Sequence, residues 1–337
     1  MKIFLSVAAW GDKNLRLLAN YSFASLLAPN NLPALARDHS VTVHIVTSNR
    51  DYERFRVIPT ISSLAEHCRV VWDRFEDLKI GIAPVDTDVR KYDFMTALQN
   101  VAMARARDHD ALIFNYADFV WADGSLPGAV DLLKDGVDAV LGFCMPVEIS
   151  TGITALDPFR MGQVMTIAPR KLAAICLDSL HRDATYRYWD APAFTHFPSY
   201  LLFRAGSDGV VVRAYHQTAL VLRVKPNDPD YRRGITHGTL DGHYTSEIAK
   251  HGRIVHADDS DKVMVFSLHD QRIDSRMRGG NRDTIMRQFV NIRVDAEQRR
   301  FAETPIRLKR GWSGEAPWRA IERDTGEMLR RFQPTSG

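Results

Sequence analysis

The chain has 337 residues, of which 45% are apolar and 25% are charged, and its formal net charge is +3, with 44 basic and 41 acidic residues. This length fits one large α/β domain or two closely associated ones. The near balance of charge argues against general nucleic-acid binding, which usually requires a much more basic domain.

Three widely spaced cysteines argue against a disulfide framework and against a cysteine-based metal site. Such cysteine usage favours a reducing, cytoplasmic compartment. No apolar run approaches the ~18 residues of a transmembrane helix, and the apolar N-terminal stretch is too short for a signal peptide. We therefore expect a soluble cytoplasmic protein.

Alternating strand and helix patterns dominate the first part of the chain. Short apolar or β-branched runs predict strands at residues 3–8, 41–47, 68–72, 111–114 and 139–145. Helical periodicity occupies the segments between them, at residues 15–27, 58–66, 94–105 and 126–135. This alternation predicts an α/β fold with a mostly parallel sheet.

The pattern loosens after residue 145. A helix is predicted at residues 169–180, and further strands are predicted at 201–204, 210–214, 219–224 and 262–267. Residues 226–242 are polar and rich in turn-forming residues, which predicts an ordered functional loop or a mobile lid. The last 65 residues are helical in pattern and rich in arginine. We therefore divide the chain at residues 1–145, 146–270 and 271–337.

The most informative stretch runs from residue 91 to residue 124. An amphipathic helix and a buried strand are followed by Asn115 and Asp118 at the predicted carboxyl end of the strand, and by a turn at Asp123. Open α/β sheets bind ligands just beyond the carboxyl ends of their strands. A carboxylate there can hold a divalent metal, which in turn can bind a diphosphate.

This block resembles the donor-binding core of nucleotide-sugar glycosyltransferases with the GT-A fold, in particular the inverting, family-2-like class. Such enzymes commonly show an Arg-Asn pair, a helix, an apolar strand and then a D-x-D-D motif. Here Gln99 and Asn100 stand in place of the Arg-Asn pair. The motif reads Asn115-Tyr116-Ala117-Asp118, which keeps only the final acidic position. The resemblance covers about the first 145 residues and extends more loosely to the second half.

The resemblance implies a Rossmann-like, mostly parallel sheet flanked by helices, with a helical C-terminal extension. Residues 1–145 would bind the nucleotide-sugar donor, residues 146–270 would form the acceptor side of the same domain, and residues 271–337 would be the arginine-rich extension. A divalent metal, Mn²⁺ or Mg²⁺, would assist. The implied donor-binding residues are Ala8, Ala9, Trp10, Arg50, Asn100, Asn115 and Asp118. Core packing of the first strand and a solvated Arg50 are the alternatives.

Metal binding and base catalysis have separate candidates. Asp118 is joined as a metal ligand by His216 and His243, because such enzymes often supply a late histidine and neutral imidazole suits Mn²⁺-like ions. Asp241 is the candidate general base that takes the proton of the acceptor hydroxyl, and Glu247 competes for that role. A cluster at Asp258, Asp259 and Asp261 could bind a cation or form an exposed acidic loop.

The sequence thus predicts a glycosyltransferase that moves a sugar from a nucleoside diphosphate donor to a hydroxyl of a glycan, a lipid-linked sugar or a small molecule. Arginines at 272–310 could bind the diphosphate, a lipid-linked acceptor or a membrane surface, or be solvated. One alternative is a nucleotidyltransferase, although residues 10–14 form a poor glycine-rich loop. Another is a non-catalytic nucleotide- or sugar-binding protein, which Asn115 and Ala117 favour. The donor, the acceptor, the stereochemistry and the oligomeric state are left open.

Overall fold

The computed structural model describes residues 1–78, 88–134, 136–236, 240–270 and 279–333. Within these ranges, only the backbone is described for residues 88–91 and for Asp230. Part of the loop predicted at 226–242 and the start of the arginine-rich segment therefore lie outside the described residues. No helix within the described ranges has the length and apolar character needed to cross a membrane.

The strands are Lys2–Ala8 (β1), Ser40–Thr47 (β2), Arg69–Arg74 (β3), Ala111–Tyr116 (β4), Phe119–Trp121 (β5), Ala139–Gly142 (β6), Met145–Glu148 (β7), Arg160–Met161 (β8), Val164–Met165 (β9), Tyr200–Arg204 (β10), Gly209–Ala214 (β11), Thr218–Arg223 (β12), Ile254–His256 (β13), Val265–His269 (β14) and Ile306–Lys309 (β15).

The helices are Gly11–Leu17 (α1), Phe23–Leu26 (α2), Leu32–Asp38 (α3), Asn49–Phe55 (α4), Pro59–Ala65 (α5), Asp88–Arg105 (α6), Ser125–Asp131 (α7), Ile149–Leu156 (α8), Pro169–Asp178 (α9), Arg182–Thr185 (α10), Pro229–Arg233 (α11), His243–His251 (α12), Arg282–Arg293 (α13), Ala296–Glu303 (α14) and Glu315–Arg330 (α15). A π-helical turn, Leu18–Ser22, joins α1 to α2, and 3₁₀ turns follow α6 and α8.

The chain forms two compact units, each built from separate segments. The first unit comprises Met1–Gly142, Phe159–Ile167 and Thr218–Val255. The second unit comprises Phe143–Pro158, Ala168–Gln217 and His256–Gly337.

The first unit is built on a sheet with the strand order β13-β6-β12-β4-β1-β2-β3. Strand β1 pairs in parallel with both β2 and β4, and β2 pairs in parallel with β3. Strand β12 runs antiparallel between β4 and β6. Helices α3, α5, α6 and α7 pack on this sheet. The predicted α/β class, with a mostly parallel sheet flanked by helices, is confirmed.

The order of the strands creates a switch point beside β1. From β1 the chain moves outward through β2 to β3 and then crosses back to β4, on the other side of β1. Two neighbouring parallel strands whose connections leave in opposite directions open a crevice at their carboxyl ends. In this sheet that crevice lies where β1 and β4 end, at Ala8 and Tyr116, which are paired in register.

A buried polar chain crosses the first three strands on the side of α6. The Ser6 hydroxyl lies 3.0 Å from Nδ1 of His44, and Nε2 of His44 lies 3.1 Å from a carboxylate oxygen of Asp73. Arg105, in the last turn of α6, donates two hydrogen bonds of 2.7 and 2.9 Å to the same carboxylate. These contacts tie α6 to the edge of the sheet, because each buried polar group finds a partner.

The second unit is organised differently. Strands β10, β11 and β15 form an antiparallel sheet, and β7 pairs in parallel with β14. Side chains from α13, α14 and α15, among them Phe289, Ala302 and Leu329, pack with Leu201 of β10 in one apolar cluster. The C-terminal part is therefore largely helical. It also contributes strand β15, in which Ile306 and Leu308 are buried beside β11.

Acid should weaken the protein through Asp73. Burial disfavours the charged carboxylate, but hydrogen bonds from His44 and Arg105 outweigh it and lower the pKa of Asp73 to about 2. Because this pKa lies below the unfolded value of ~3.9, the ionised group adds about 2 to 3 kcal/mol to the free energy of unfolding above pH ~4. That contribution is lost as the pH falls through 4 toward 2.

The measurement is urea denaturation between pH 2 and 6 of the wild type and of Asp73→Asn. The variant should lose the pH-dependent part of the stability in this window. Asp77→Asn, which removes an exposed carboxylate paired with Arg74, is the matched control and should keep it. Identical pH profiles for Asp73→Asn and the wild type would contradict the assignment.

Candidate functional site

The carboxyl end of β1 is fixed by backbone and aromatic contacts. The amide of Ala9 donates to the carbonyl of Val46 in β2, at 3.0 Å. The half-buried indole of Trp10 meets Phe94 of α6 and Phe75 edge-on, with ring centroids 5.2 and 6.0 Å apart. Ala8 packs against the same apolar cluster. The three predicted base-binding residues therefore stand together at the crevice, and Trp10 has a defined orientation.

The carboxyl end of β4 is anchored by a buried network that the sequence did not reveal. Nδ2 of Asn115 donates to Oγ of Ser22, at 2.9 Å, and its Oδ1 accepts from Nε1 of Trp121, also at 2.9 Å. The Ser22 hydroxyl in turn donates to the carbonyl of Tyr116, at 3.0 Å. Ser22 lies in the π-helical turn, a feature often found near functional sites. Both polar atoms of the Asn115 amide are thus engaged inside the fold.

Asp118 lies in the turn that joins β4 to β5 and is partly exposed. It comes two residues after Tyr116, whose hydroxyl accepts a hydrogen bond of 2.8 Å from Nε2 of Gln99 on α6. Its chain position is therefore at the switch point. Asp123, by contrast, receives two hydrogen bonds of 2.8 Å, from the backbone and the side-chain amide of Asn30. Asp123 thus ties two loops together.

The carboxyl end of β2 is tied to the end of β1. Oγ of Ser48 accepts from the amide of Asp51, at 3.0 Å, and caps α4. The buried carboxylate of Asp51 accepts from the amide of Gly11, at 2.8 Å, where the backbone has φ +78°. The spacing from Ser48 to Asp51 matches a helix-start signature, so the sequence carried a signal for the helix cap but not for the contact with Gly11. Arg50 is exposed in the first turn of α4.

A cleft of about 400 Å³ opens beside α1 in the first unit. Its polar walls include Asp12, Arg16 and Asn20, which follow one another at four-residue spacing along α1 and the π-helical turn. Arg54 of α4 donates to Asp12 at 2.7 Å and lowers the pKa of that carboxyl group. The cleft therefore contains an ion pair close to the loop that follows β1.

Asn100, predicted to bind the donor, holds the chain segment after β12. Its Nδ2 donates to the carbonyl of Ile235, at 2.9 Å, and its Oδ1 accepts from the amide of Ile235, at 2.8 Å. Three residues along α6, the carbonyl of Met103 accepts from the hydroxyl of Tyr231, at 3.1 Å. One face of α6 therefore fixes residues 231–235.

The candidate residues around α12 divide between a cavity and its surroundings. A cavity of about 510 Å³ is lined by His243 and Glu247, and by further residues from β12, α11 and α12. Glu247 is exposed and forms an ion pair of 2.5 Å with Lys250. Asp241 is exposed two residues before α12 and is not part of the lining. The structure thus brings His243 and Glu247 to one cavity, without Asp118.

His216 belongs to the second unit, where its ring packs against Phe197 and Phe289 at centroid distances of 5.8 and 6.3 Å. Within the described ranges, no group of three or more His, Cys, Asp or Glu side chains could hold a metal ion. The residues therefore do not fit a metal site built by protein ligands alone. A single carboxylate such as Asp118 suits Mg²⁺ that substrate phosphates also bind.

Other charged candidates are engaged in ion pairs of the second unit. Nζ of Lys309 lies 2.7 Å from Asp259 and 3.3 Å from Asp261, and Arg170 pairs with Asp261 at 2.9 Å. Arg307 binds the carboxylates of Glu315 and Glu322, which raises the pKa of the guanidinium further. The acidic cluster and this part of the arginine-rich segment therefore neutralise charges within the unit.

No family model matches the sequence, and no curated protein matches it. Among solved structures, the chain is similar to mouse xyloside xylosyltransferase 1 in its apo form, with 13% identity and a TM-score of 0.30 over 47% of this chain and 59% of that one. S. aureus TarS shares 12% identity with a TM-score of 0.39, over 89% of this chain and 42% of that one. The mannosyltransferase PcManGT from Pyrobaculum calidifontis, solved with GDP-Man and Mn2+, shares 12% identity with a TM-score of 0.40, over 97% of this chain and 69% of that one.

The chain thus spans 59% of the mouse structure and 42% of TarS. Likeness at this level assigns no family to the chain. The α/β architecture rests on the strand pairing described above.

Removing the Ser22 hydroxyl should destabilise the end of β4. Ser22→Ala removes the acceptor of Nδ2 of Asn115 and one donor to the Tyr116 carbonyl, so the free energy of unfolding should fall by about 1 to 3 kcal/mol. Urea denaturation measures the change. Ser62→Ala, at an exposed position on α5, should shift it by less than about 0.5 kcal/mol. Equal effects of the two substitutions would show that the network does not anchor β4.

Proposed function

We propose that this protein is a GT-A-type glycosyltransferase, which transfers a sugar from a nucleoside diphosphate sugar to a hydroxyl group. The observation that carries this proposal is the switch point between β1 and β4, with residues 8–10 at the end of one strand and Asp118 just beyond the end of the other. Ligands of open α/β sheets bind at such points. The small residues and the oriented indole suit a flat base. The carboxylate suits a diphosphate that carries a divalent metal ion.

In this proposal the donor lies along the carboxyl ends of β1, β2 and β4. Ala8 and Ala9 allow the base to approach the backbone, and Trp10, held edge-on by Phe94 and Phe75, offers it a flat surface. Arg50, exposed in the first turn of α4, is available to the diphosphate. Asn115 and Asn100 support the site from within, since their amides hold other parts of the fold.

Transfer needs one proton acceptor and one leaving group. Asp241 or Glu247 takes the proton of the acceptor hydroxyl while its oxygen forms a bond to the anomeric carbon. The bond from that carbon to the phosphate oxygen breaks, and the nucleoside diphosphate leaves with the electron pair. A divalent ion, when bound, neutralises charge on the diphosphate. Among the residues described here, Asp118 is the carboxylate proposed to bind it.

The proposed acceptor is a glycan, a lipid-linked sugar or a small molecule, and we assign the protein no role with nucleic acids. The proposed compartment is cytoplasmic and rests on composition, because the free cysteines Cys68, Cys144 and Cys176 suit a reducing environment.

A non-catalytic nucleotide- or sugar-binding protein is the second candidate. It is favoured by the engaged amide of Asn115 and by the methyl group of Ala117, which leave a single carboxylate in the motif. Hydrolysis of a nucleotide sugar in the presence of Mn²⁺ would favour the enzyme over the binding protein. A product with a new nucleoside diphosphate bond would favour a nucleotidyltransferase instead.

Asp118→Ala should abolish transfer and weaken donor binding while the fold is kept. Loss of a charged hydrogen-bond acceptor costs about 1.5 to 3 kcal/mol, or roughly ten- to a hundredfold in Kd. The measurement is a thermal-shift titration with nucleotides and nucleotide sugars, with and without Mn²⁺, because a ligand of the native state raises Tm. Asp131→Ala, at an exposed position in α7, is the control. A fully active Asp118→Ala protein would refute the assignment.

A further inference from the structure

The cavity beside α12 is separate from the crevice at β1 and β4. Its volume of about 510 Å³ falls within the range of roughly 300 to 1,000 Å³ that is usual for small-ligand sites. Arg223, at the end of β12, lines it, as does Asp138, which precedes β6. Arg223 is paired with Ala111, the first residue of β4, whereas the crevice lies where β4 ends. This part of the cavity is therefore at the opposite end of the strand from the crevice.

The walls of the cavity are held in place by hydrogen bonds. Asn100 binds both backbone polar groups of Ile235, and Tyr231 binds the carbonyl of Met103. Gly234, with φ +67°, lies so close to this clamp that a Cβ atom would come within 2.4 Å of Oδ1 of Asn100. The cavity is therefore preformed, which reduces the ordering cost of binding.

Four of the charged groups that line the cavity are compensated by the protein. Lys225 pairs with Asp138 at 2.6 Å, and Glu247 pairs with Lys250 at 2.5 Å. The guanidinium of Arg223 donates to three backbone carbonyls, those of residues 133, 134 and 137. A charged ligand that binds any of these four groups would have to displace its partner, which favours a neutral ligand.

The remaining lining combines apolar surfaces with polar groups in a regular row. Tyr244 and Ile248 provide apolar surface from α12, and His243, Glu247 and His251 follow one another at four-residue spacing along the same helix. Residues four apart lie on one helix face. A ligand that matches this surface has an apolar face and several hydroxyl groups, as a pyranose ring does.

We propose that this cavity binds a neutral saccharide, at a site distinct from the donor crevice proposed above. This binding does not depend on the glycosyltransferase function proposed above and can be measured without it.

The test is saturation-transfer NMR and calorimetry on the full chain with maltose, cellobiose, lactose and chitobiose as neutral probes, and with glucuronate as the charged probe. At least one neutral saccharide should bind the wild type, and more tightly than glucuronate. Ile248→Trp fills the cavity and should weaken this binding more than about tenfold. Ile292→Trp, the same change at an exposed position in α13, should leave it unchanged. His251→Ala, an exposed truncation, should cause a smaller loss.

No binding of any neutral probe, tighter binding of glucuronate, or equal binding by Ile248→Trp would overturn the proposal. If Ile248→Trp does not fold, His251→Ala is the test instead. Weaker saccharide binding by His251→Ala would then support the proposal, and unchanged binding would overturn it. Nucleotide-sugar binding is measured in the same samples. Saccharide binding without nucleotide-sugar binding would contradict the proposed glycosyltransferase function and support the saccharide site. Nucleotide-sugar binding without saccharide binding would support the glycosyltransferase function and overturn the saccharide site.

Discussion

The pairing of β1 with β4 is the contact on which the candidate site depends. It brings residues 8–10 beside residues 116–118, although about a hundred residues separate them along the chain. The buried hydrogen bonds among Ser22, Asn115 and Trp121 hold the end of β4 in this position. Replacing a buried asparagine whose amide nitrogen and oxygen are both hydrogen-bonded costs stability, since each partner left unpaired carries a desolvation cost. The anchor of the site is thus polar rather than apolar.

Much of the fold could be predicted because buried parallel strands are continuous apolar runs. The first two strands were predicted at residues 3–8 and 41–47 and are found at Lys2–Ala8 and Ser40–Thr47. The run at 139–145 was wrong as a single strand. It contains the whole of β6 and the first residue of β7, and the chain passes from one unit to the other after Gly142. Hydrophobicity alone could not reveal this break, because both sides are buried.

Side-chain roles were harder to predict than positions. The sequence predicted an aspartate at the end of the fourth strand, and Asp118 follows β4. It could not predict that Asn100 clamps Ile235, 135 residues away, or that Lys309 neutralises Asp259 and Asp261, some fifty residues before it. Such partners are chosen by tertiary packing, and a local pattern carries no record of them. Asp51 is an intermediate case. Its spacing from Ser48 predicts a helix cap, but nothing in the local sequence predicts its contact with Gly11.

Helix α6 serves the crevice and the cavity through adjacent residues. Gln99 holds the hydroxyl of Tyr116 at the end of β4, and Asn100 holds the backbone of Ile235, whose neighbours Gly234 and Thr236 line the cavity. A rigid helix that contacts both places gives them a common mechanical support. If occupancy on one side strengthens binding on the other by some factor, thermodynamic linkage requires the reverse effect to have the same size. Two neighbouring amides would thus set the cooperativity between two ligands that never touch.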